Sequence, residues 1–214
     1  MLWEHEPQAS VSTVFSSSPK LSRETRRTCF LFLLENVGRK KKKTTCKKEN
    51  VNFKLLSLNV RGIRSLEKRK ALFIWLNKQK ADIIFRQETY SSVEIENIWR
   101  TQWNGKMFFA HGSNHSCGVI TLVRNDLDFE EESCKCDQNG RFIILNASVQ
   151  GVKYVFANIY APNKVRHQCT YFKDLYEKLD DIITSAEQNV IIGGDFNVTM
   201  EFLICDGCED EYNK

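Results

Sequence analysis

No apolar run in this sequence is long enough to cross a bilayer. Cys29-Phe-Leu-Phe-Leu-Leu34 falls far short of the roughly 20 residues that a spanning helix needs. It also follows a long polar stretch, unlike a secretory signal core. Proline is scarce, three in 214 residues, and two of them fall in a Ser-, Thr-, Arg- and Glu-rich segment before residue 28 that reads as disordered. No repeat recurs at a fixed period. The eight cysteines are scattered in a chain too long for a small secreted scaffold, which argues against a disulfide framework and for a reduced intracellular protein, nuclear or cytoplasmic. Cys205-x-x-Cys208 has one half of a zinc-ribbon spacing and no second pair to complete it.

An excess of one charge is also missing from most of the chain. Residues 1–50 hold 11 Lys/Arg and 5 Asp/Glu, a balance of +6; the remainder holds 20 and 22, a balance of −2. A nucleic-acid partner is therefore allowed by the leader and not demanded by the body. The basic run from Arg39 to Lys48 suits a nuclear-import signal or an arm that contacts nucleic acid; a solvated spacer is the plainer reading.

What is present is an alternation of strand and helix patterns with hydrophobic residues at 42%, the composition of a globular domain. We expect a disordered basic leader over 1–50, with one or two helical turns at 28–37, a folded domain over 51–200 and an acidic frayed tail over 201–214. Phe53–Asn59 reads as a strand, 65–80 as a helix with Ser65 able to cap it, and Ala81–Phe85 as a second strand. A strand, helix and strand within about 30 residues make a βαβ unit with parallel strands. A helix at 91–102 and strands at 106–110, 117–124 and 127–134 follow. Strands at 141–149 and 152–160 form a hairpin around Gln150-Gly151, and 167–186 is an amphipathic helix.

Val190-Ile-Ile-Gly-Gly-Asp-Phe-Asn197 organises the rest. An apolar strand runs into two glycines, which permit a sharp bend or close approach of a ligand, and delivers Asp195 and Asn197 to its carboxyl edge. Asn59, Glu88, and Tyr160 with Asn163 close other apolar runs in the same way. Ligands of α/β sandwiches bind beyond such strand ends. A carboxylate beside an amide can hold a phosphate near a divalent cation and activate a water. Singly, Asn59 could be a turn former, Glu88 a helix-start acid and Tyr160 a core aromatic.

Ser-Leu-Asn59-Val-Arg-Gly, Gln87-Glu88-Thr, Cys-Gly118-Val-Ile-Thr-Leu, Asn158-Ile-Tyr160-Ala-Pro-Asn163 and Gly-Gly-Asp195-Phe-Asn197 together resemble the ordered signature of the endonuclease/exonuclease/phosphatase superfamily. The closest branch looks like the apurinic-type endonuclease domain of LINE retrotransposon proteins. The resemblance implies a four-layer α/β sandwich of the DNase I-like kind and Mg2+-dependent phosphodiester hydrolysis, with Mn2+ able to replace Mg2+. It would make Glu88 and Asn59 metal ligands, put Tyr160 and Asn163 on the scissile phosphate, let Asp195 orient or deprotonate the attacking water, and let Asn197 hold a phosphate oxygen. DNA would be the ancestral substrate.

The family pattern closes, well past the Asp-x-Asn motif, with a further aspartate and a Ser-Asp-His segment, and neither is met at that distance through Lys214. On that reading the sandwich is partial, a first sheet with its helices plus only the opening strand of the second, with an exposed apolar inner face, and DNA nicking is weak or absent. Arg86 stands where relatives carry an apolar residue, and Cys117 where a basic one is common. The competing expectations are a phosphatase acting on lipid or small phosphate esters and a non-catalytic nucleic-acid-binding remnant.

Overall fold

The β-former runs and the helix-period runs separate as their patterns require. The computed structural model describes residues 30–34, 51–113, 115–185 and 188–197. In chain order the elements are β1 (Phe30–Leu34), β2 (Leu55–Asn59), α1 (Leu66–Gln79), β3 (Ile83–Gln87), α2 (Val93–Arg100), β4 (Gly105–Ala110), β5 (Val119–Arg124), β6 (Phe129–Cys136), β7 (Phe142–Val149), β8 (Val152–Tyr160), α3 (Val165–Ile182) and β9 (Asn189–Asp195).

The expected βαβ unit is present, with β2 and β3 parallel in register from Leu55↔Ile83 to Asn59↔Gln87. Ser65 caps α1, its Oγ accepting from the Lys68 N–H at 3.3 Å. The β7–β8 hairpin turns at Gln150 and Gly151, both at positive φ (50° and 78°), as a two-residue turn matched to strand twist requires.

Two sheets result, one in the order β2-β3-β5-β4 and one in the order β1-β9-β8-β7-β6. One apolar cluster lies between them, with Ile83 and Phe85 of β3 against Ile143 and Leu145 of β7, Phe156 of β8 and Ile191 of β9. A second joins the outer face of the smaller sheet to Phe73 and Leu76 of α1 and Trp99 of α2. A third joins the larger sheet to Leu175 and Leu179 of α3. The order helix, sheet, sheet, helix is the four-layer sandwich expected from the sequence.

The division of strands differs from expectation. The second sheet has five strands rather than an opening one, because β6, β7 and β8 belong to it. Alternation within a hairpin says which face is buried and nothing about which sheet the hairpin joins. The inner face of the smaller sheet is therefore covered, and the expectation of an exposed apolar face does not hold. Residues 30–34 form a strand, not a helical turn. They pair antiparallel with β9 from Phe30↔Gly194 to Leu34↔Val190, so the domain boundary drawn at residue 50 leaves out part of the sheet. Five apolar residues are too few for periodicity to separate strand from helix. The basic run Arg39–Lys48, residues 198–200 and the acidic tail lie outside the described residues. Among the described residues no helix is long and apolar enough to cross a membrane.

Arg86 is 1% exposed, its Nη1 donating to the Phe85 carbonyl at 3.0 Å. Phe156 sits at the centre of the inter-sheet layer, in ring contact with Phe53, Phe129 and Tyr154. Phe156→Ala is expected to cost about 3–5 kcal/mol, read as a shift in the urea midpoint at constant slope. A cost below about 1 kcal/mol would mean that the two sheets do not share this core.

Candidate active site

Parallel pairing places strand ends together. Asn59 ends β2 beside Gln87, the last residue of β3, and Tyr160 ends β8 beside Asp195, the last residue of β9. One residue past β3 stands Glu88. Two hydrogen bonds then cross between the sheets: Asn59 Nδ2 donates to Asp195 Oδ2 at 2.8 Å, and the Tyr160 hydroxyl donates to Glu88 Oε1 at 2.8 Å. Two pairs of neighbouring strand ends are thus linked across the sheets, Asn59 and Glu88 on the smaller and Tyr160 and Asp195 on the larger.

Asp195 is 1% exposed. Its second oxygen accepts from the Asn197 N–H at 3.1 Å, so both oxygens are oriented. Asn197 sits behind it, with Nδ2 on the Ala161 carbonyl at 2.7 Å and its own carbonyl held by Gln168 Nε2 at 3.0 Å. Asn163 is exposed on the wall of a cleft of about 330 Å³, shared with Arg61, Glu88, Tyr90, His115 and Tyr160. A second hollow of about 580 Å³ shares Ser116 and Cys117 with that cleft and extends toward Arg141 and Tyr171. All six residues singled out from the sequence thus gather at one end of the sandwich.

Backbone strain marks the same place. Arg61, Glu88, Tyr90, Cys117 and Asn197 all adopt left-handed conformations, with φ between 47° and 61°. Each such residue costs of the order of 1–3 kcal/mol unless its surroundings fix it, and such residues cluster at functional sites. Here backbone bonds fix them: the Gly62 N–H donates to the Glu88 carbonyl, Thr89 N–H to Gly118, and Tyr90 N–H to Cys117. Gly194, at φ 144°, is required by its neighbour strand rather than by a ligand: a Cβ there would lie 2.0 Å from the Ile159 carbonyl oxygen.

Burial first, and the Glu88 carboxylate second, set the electrostatics of the tyrosines here. Burial pushes the Tyr160 phenol well above its usual value, and the hydrogen bond to Glu88 and that residue's charge push it further. Tyr90 is raised in the same way, by burial first and then by Glu88. Lys68 is lowered by burial and by Arg61, with Glu88 opposing; its Nζ holds the Val60 and Arg61 carbonyls at 2.8 and 2.9 Å. The Arg141 guanidinium lies 5.0 Å from the Tyr160 ring centre.

A phenol whose folded pKa is raised stabilises the fold fully below its unfolded value, near 10, and loses that contribution as pH climbs through the folded value. Unfolding free energy should therefore fall from about pH 10 upward. Tyr160→Phe should flatten that fall in part, since Tyr90, Tyr154 and Tyr171 are raised too. An unchanged slope in the variant would show that Tyr160 is not a source of the linkage.

Sequence reasoning missed Tyr90, Arg141, Gln168 and a buried amide pair. Gln87 Nε2 donates to Asn158 Oδ1 at 2.7 Å, and Asn158 Nδ2 to the Ile120 carbonyl at 2.9 Å. Both residues are fully buried, and their bond also ties the sheets together. The available signal was a polar residue inside each of two apolar runs, which in a core implies a partner.

Comparison with known proteins agrees with this fold. Residues 56–205 match the model of the Endonuclease/Exonuclease/phosphatase family. An uncharacterized 149 kDa protein of transposon TX1 from Xenopus laevis is 31% identical over 145 residues, 68% of this chain and 11% of that protein. The chain thus spans about a ninth of that relative's length. The crystal structure of TDP2 from C. elegans is similar with a TM-score of 0.55 at 24% identity, over 71% of this chain and 51% of that one. D. rerio TDP2, solved in complex with single strand DNA product, is similar with a TM-score of 0.51 at 16% identity, over 68% and 60%. At these identities the structural likenesses speak to the fold.

Proposed function

Because this chain belongs to the endonuclease/exonuclease/phosphatase family, we propose that its cleft hydrolyses phosphodiester bonds of DNA with a divalent cation, as the nicking endonuclease of a LINE-type retroelement. The single observation that carries the reading is the pair of cross-sheet hydrogen bonds, Asn59 to Asp195 and Tyr160 to Glu88, between neighbouring strand ends. The transposon relative supports the retroelement setting, and the DNA product held by D. rerio TDP2 supports the substrate class.

The donor set fits a hard cation. Glu88 offers a carboxylate and Asn59 an amide oxygen, while among the described residues there is no group of three or more His, Cys, Asp and Glu that could cage a metal. One or two carboxylates with water and phosphate oxygens completing the shell is what Mg2+ takes, and Mn2+ accepts the same ligands. When bound, the cation would offset charge growing on the phosphate oxygens.

The remaining work belongs to side chains. Tyr160 keeps its proton at neutral pH, so its hydroxyl can turn from Glu88 to donate to a phosphate oxygen. Asn163, exposed beside it, offers a second donor, and Asn197, whose Nδ2 is held by the Ala161 carbonyl, would use its other amide hydrogen as a third. Asp195, with one hydrogen bond on each oxygen, is oriented to take the proton of the attacking water. The adjoining 580 Å³ hollow gives room for nucleotides that flank the scissile bond. The basic run from Arg39 to Lys48 would add non-specific attraction for the phosphate backbone. The folded unit would then include β1 beside the strands and helices of 51–197.

The test is relaxation of supercoiled plasmid by the full chain. We expect nicking that needs Mg2+ or Mn2+ and stops with chelator, because both cross-sheet hydrogen bonds at the site are in place. Phosphate released from inositol phosphates without nicking would replace the DNA reading with a phosphatase. Plasmid binding with no turnover on either substrate would leave a nucleic-acid-binding remnant.

A further inference from the structure

The outer edge of the larger sheet carries two thiols side by side. Among the described residues, β6 is the terminal strand of its sheet and pairs with β7 alone. Cys134 and Cys136 lie two residues apart in it, so their side chains leave the same face. Their register partners are Leu145 and Ile143, which belong to the inter-sheet core. The thiols therefore stand on the core-facing side of the sheet, at its open edge. Both are exposed and neither is in a disulfide, and the two Sγ atoms are 3.4 Å apart.

Exposed thiols at a strand edge contribute little packing, and their closeness favours a shared ligand. A disulfide is a poor fit. Two residues of an extended strand span about 6.6 Å, the long end of the Cα separation that a disulfide accepts, and the ladder from Ser133 to Cys136 is regular. A metal ion is a better fit: two metal–sulfur bonds of about 2.3 Å each can bridge the sulfurs by side-chain rotation alone. Zinc would ask for two further ligands, and no group of three or more His, Cys, Asp and Glu that could hold a metal exists among the described residues. A soft ion satisfied by two thiolates remains.

We propose that Cys134 and Cys136 form a two-thiolate site for a soft, low-coordinate metal ion of the monovalent copper class. Two metal–sulfur bonds form, two thiol protons pass to solvent, and no electron is transferred. The shared S–H supports the first ionisation: it lowers Cys136 and raises Cys134.

The test is anaerobic titration of the reduced full chain with Cu(I) against a chromogenic Cu(I) chelator. Wild type should take up one equivalent that Cys134→Ser and Cys136→Ser each weaken by about tenfold or more. The double variant Cys205→Ser/Cys208→Ser, which removes the other close-spaced pair in the sequence, should retain that equivalent. Melting curves of the single serine variants should match wild type, which separates lost ligation from lost fold. The proposal is overturned if both single variants bind as wild type does, or if the equivalent disappears only with Cys205 and Cys208.

Discussion

Asp195→Asn is expected to slow divalent-dependent plasmid nicking by about 10²- to 10⁴-fold, the usual worth of a positioned general base. The substitution changes no shape. It removes the charge and leaves one acceptor where there were two. The carboxylate now receives both Asn59 Nδ2–H and the Asn197 N–H, whereas an amide at this position can accept only one of them and turns its own N–H against the other. A stability loss of about 1–3 kcal/mol should accompany the rate loss, so urea unfolding is run beside the nicking assay at a temperature where both proteins are folded. Nicking within about threefold of wild type would remove Asp195 from the chemistry.

Glu88→Gln should act on the metal rather than on the fold. The glutamine oxygen can still accept from the Tyr160 hydroxyl, and the left-handed backbone at φ 53° is unchanged. The loss is the negative charge. Affinity for Mg2+ or Mn2+ should fall by about 100-fold or more, since even partners behind the ligands are worth 10- to 100-fold. A second readout is independent of activity. Tyr160 and Tyr90 are both raised by burial first and by Glu88 next, so in the variant both phenols should titrate lower than in wild type yet still above the ordinary value. Unchanged metal affinity with lowered phenol titration would mean that Glu88 orders the tyrosines and does not hold the ion.

Much of this site could be read from sequence because its residues sit where periodic runs stop. The end of an apolar strand is a local feature, and Asn59, Glu88, Tyr160 and Asp195 each stand at one. Their convergence follows from parallel pairing, which the β2–α1–β3 spacing already required. Tyr90, Arg141 and Gln168 were hidden for the opposite reason. They follow or precede the strands and act through contacts with residues distant in the chain, as when Gln168 holds the carbonyl of Asn197. The membership of β6, β7 and β8 in the second sheet was hidden too, because a hairpin's pattern fixes its own register and not its neighbour across the core. β1 fell to the ambiguity of short apolar runs. Gln87 and Asn158 were legible and unread: two polar residues in otherwise apolar strands near their carboxyl ends point to a buried hydrogen bond.

The central claim is that a cation held by Glu88 and Asn59 at the ends of one sheet lies within reach of Tyr160 and Asp195 at the ends of the other. Paramagnetic broadening by Mn2+ in nitrogen-edited NMR spectra of the labelled chain tests it most directly. If the claim holds, substoichiometric Mn2+ broadens the Asn59 side-chain amide together with the backbone amides of Glu88, Tyr160 and Asp195, and excess Mg2+ restores them all. Broadening confined to one sheet's strand ends, with the other left sharp, would contradict it.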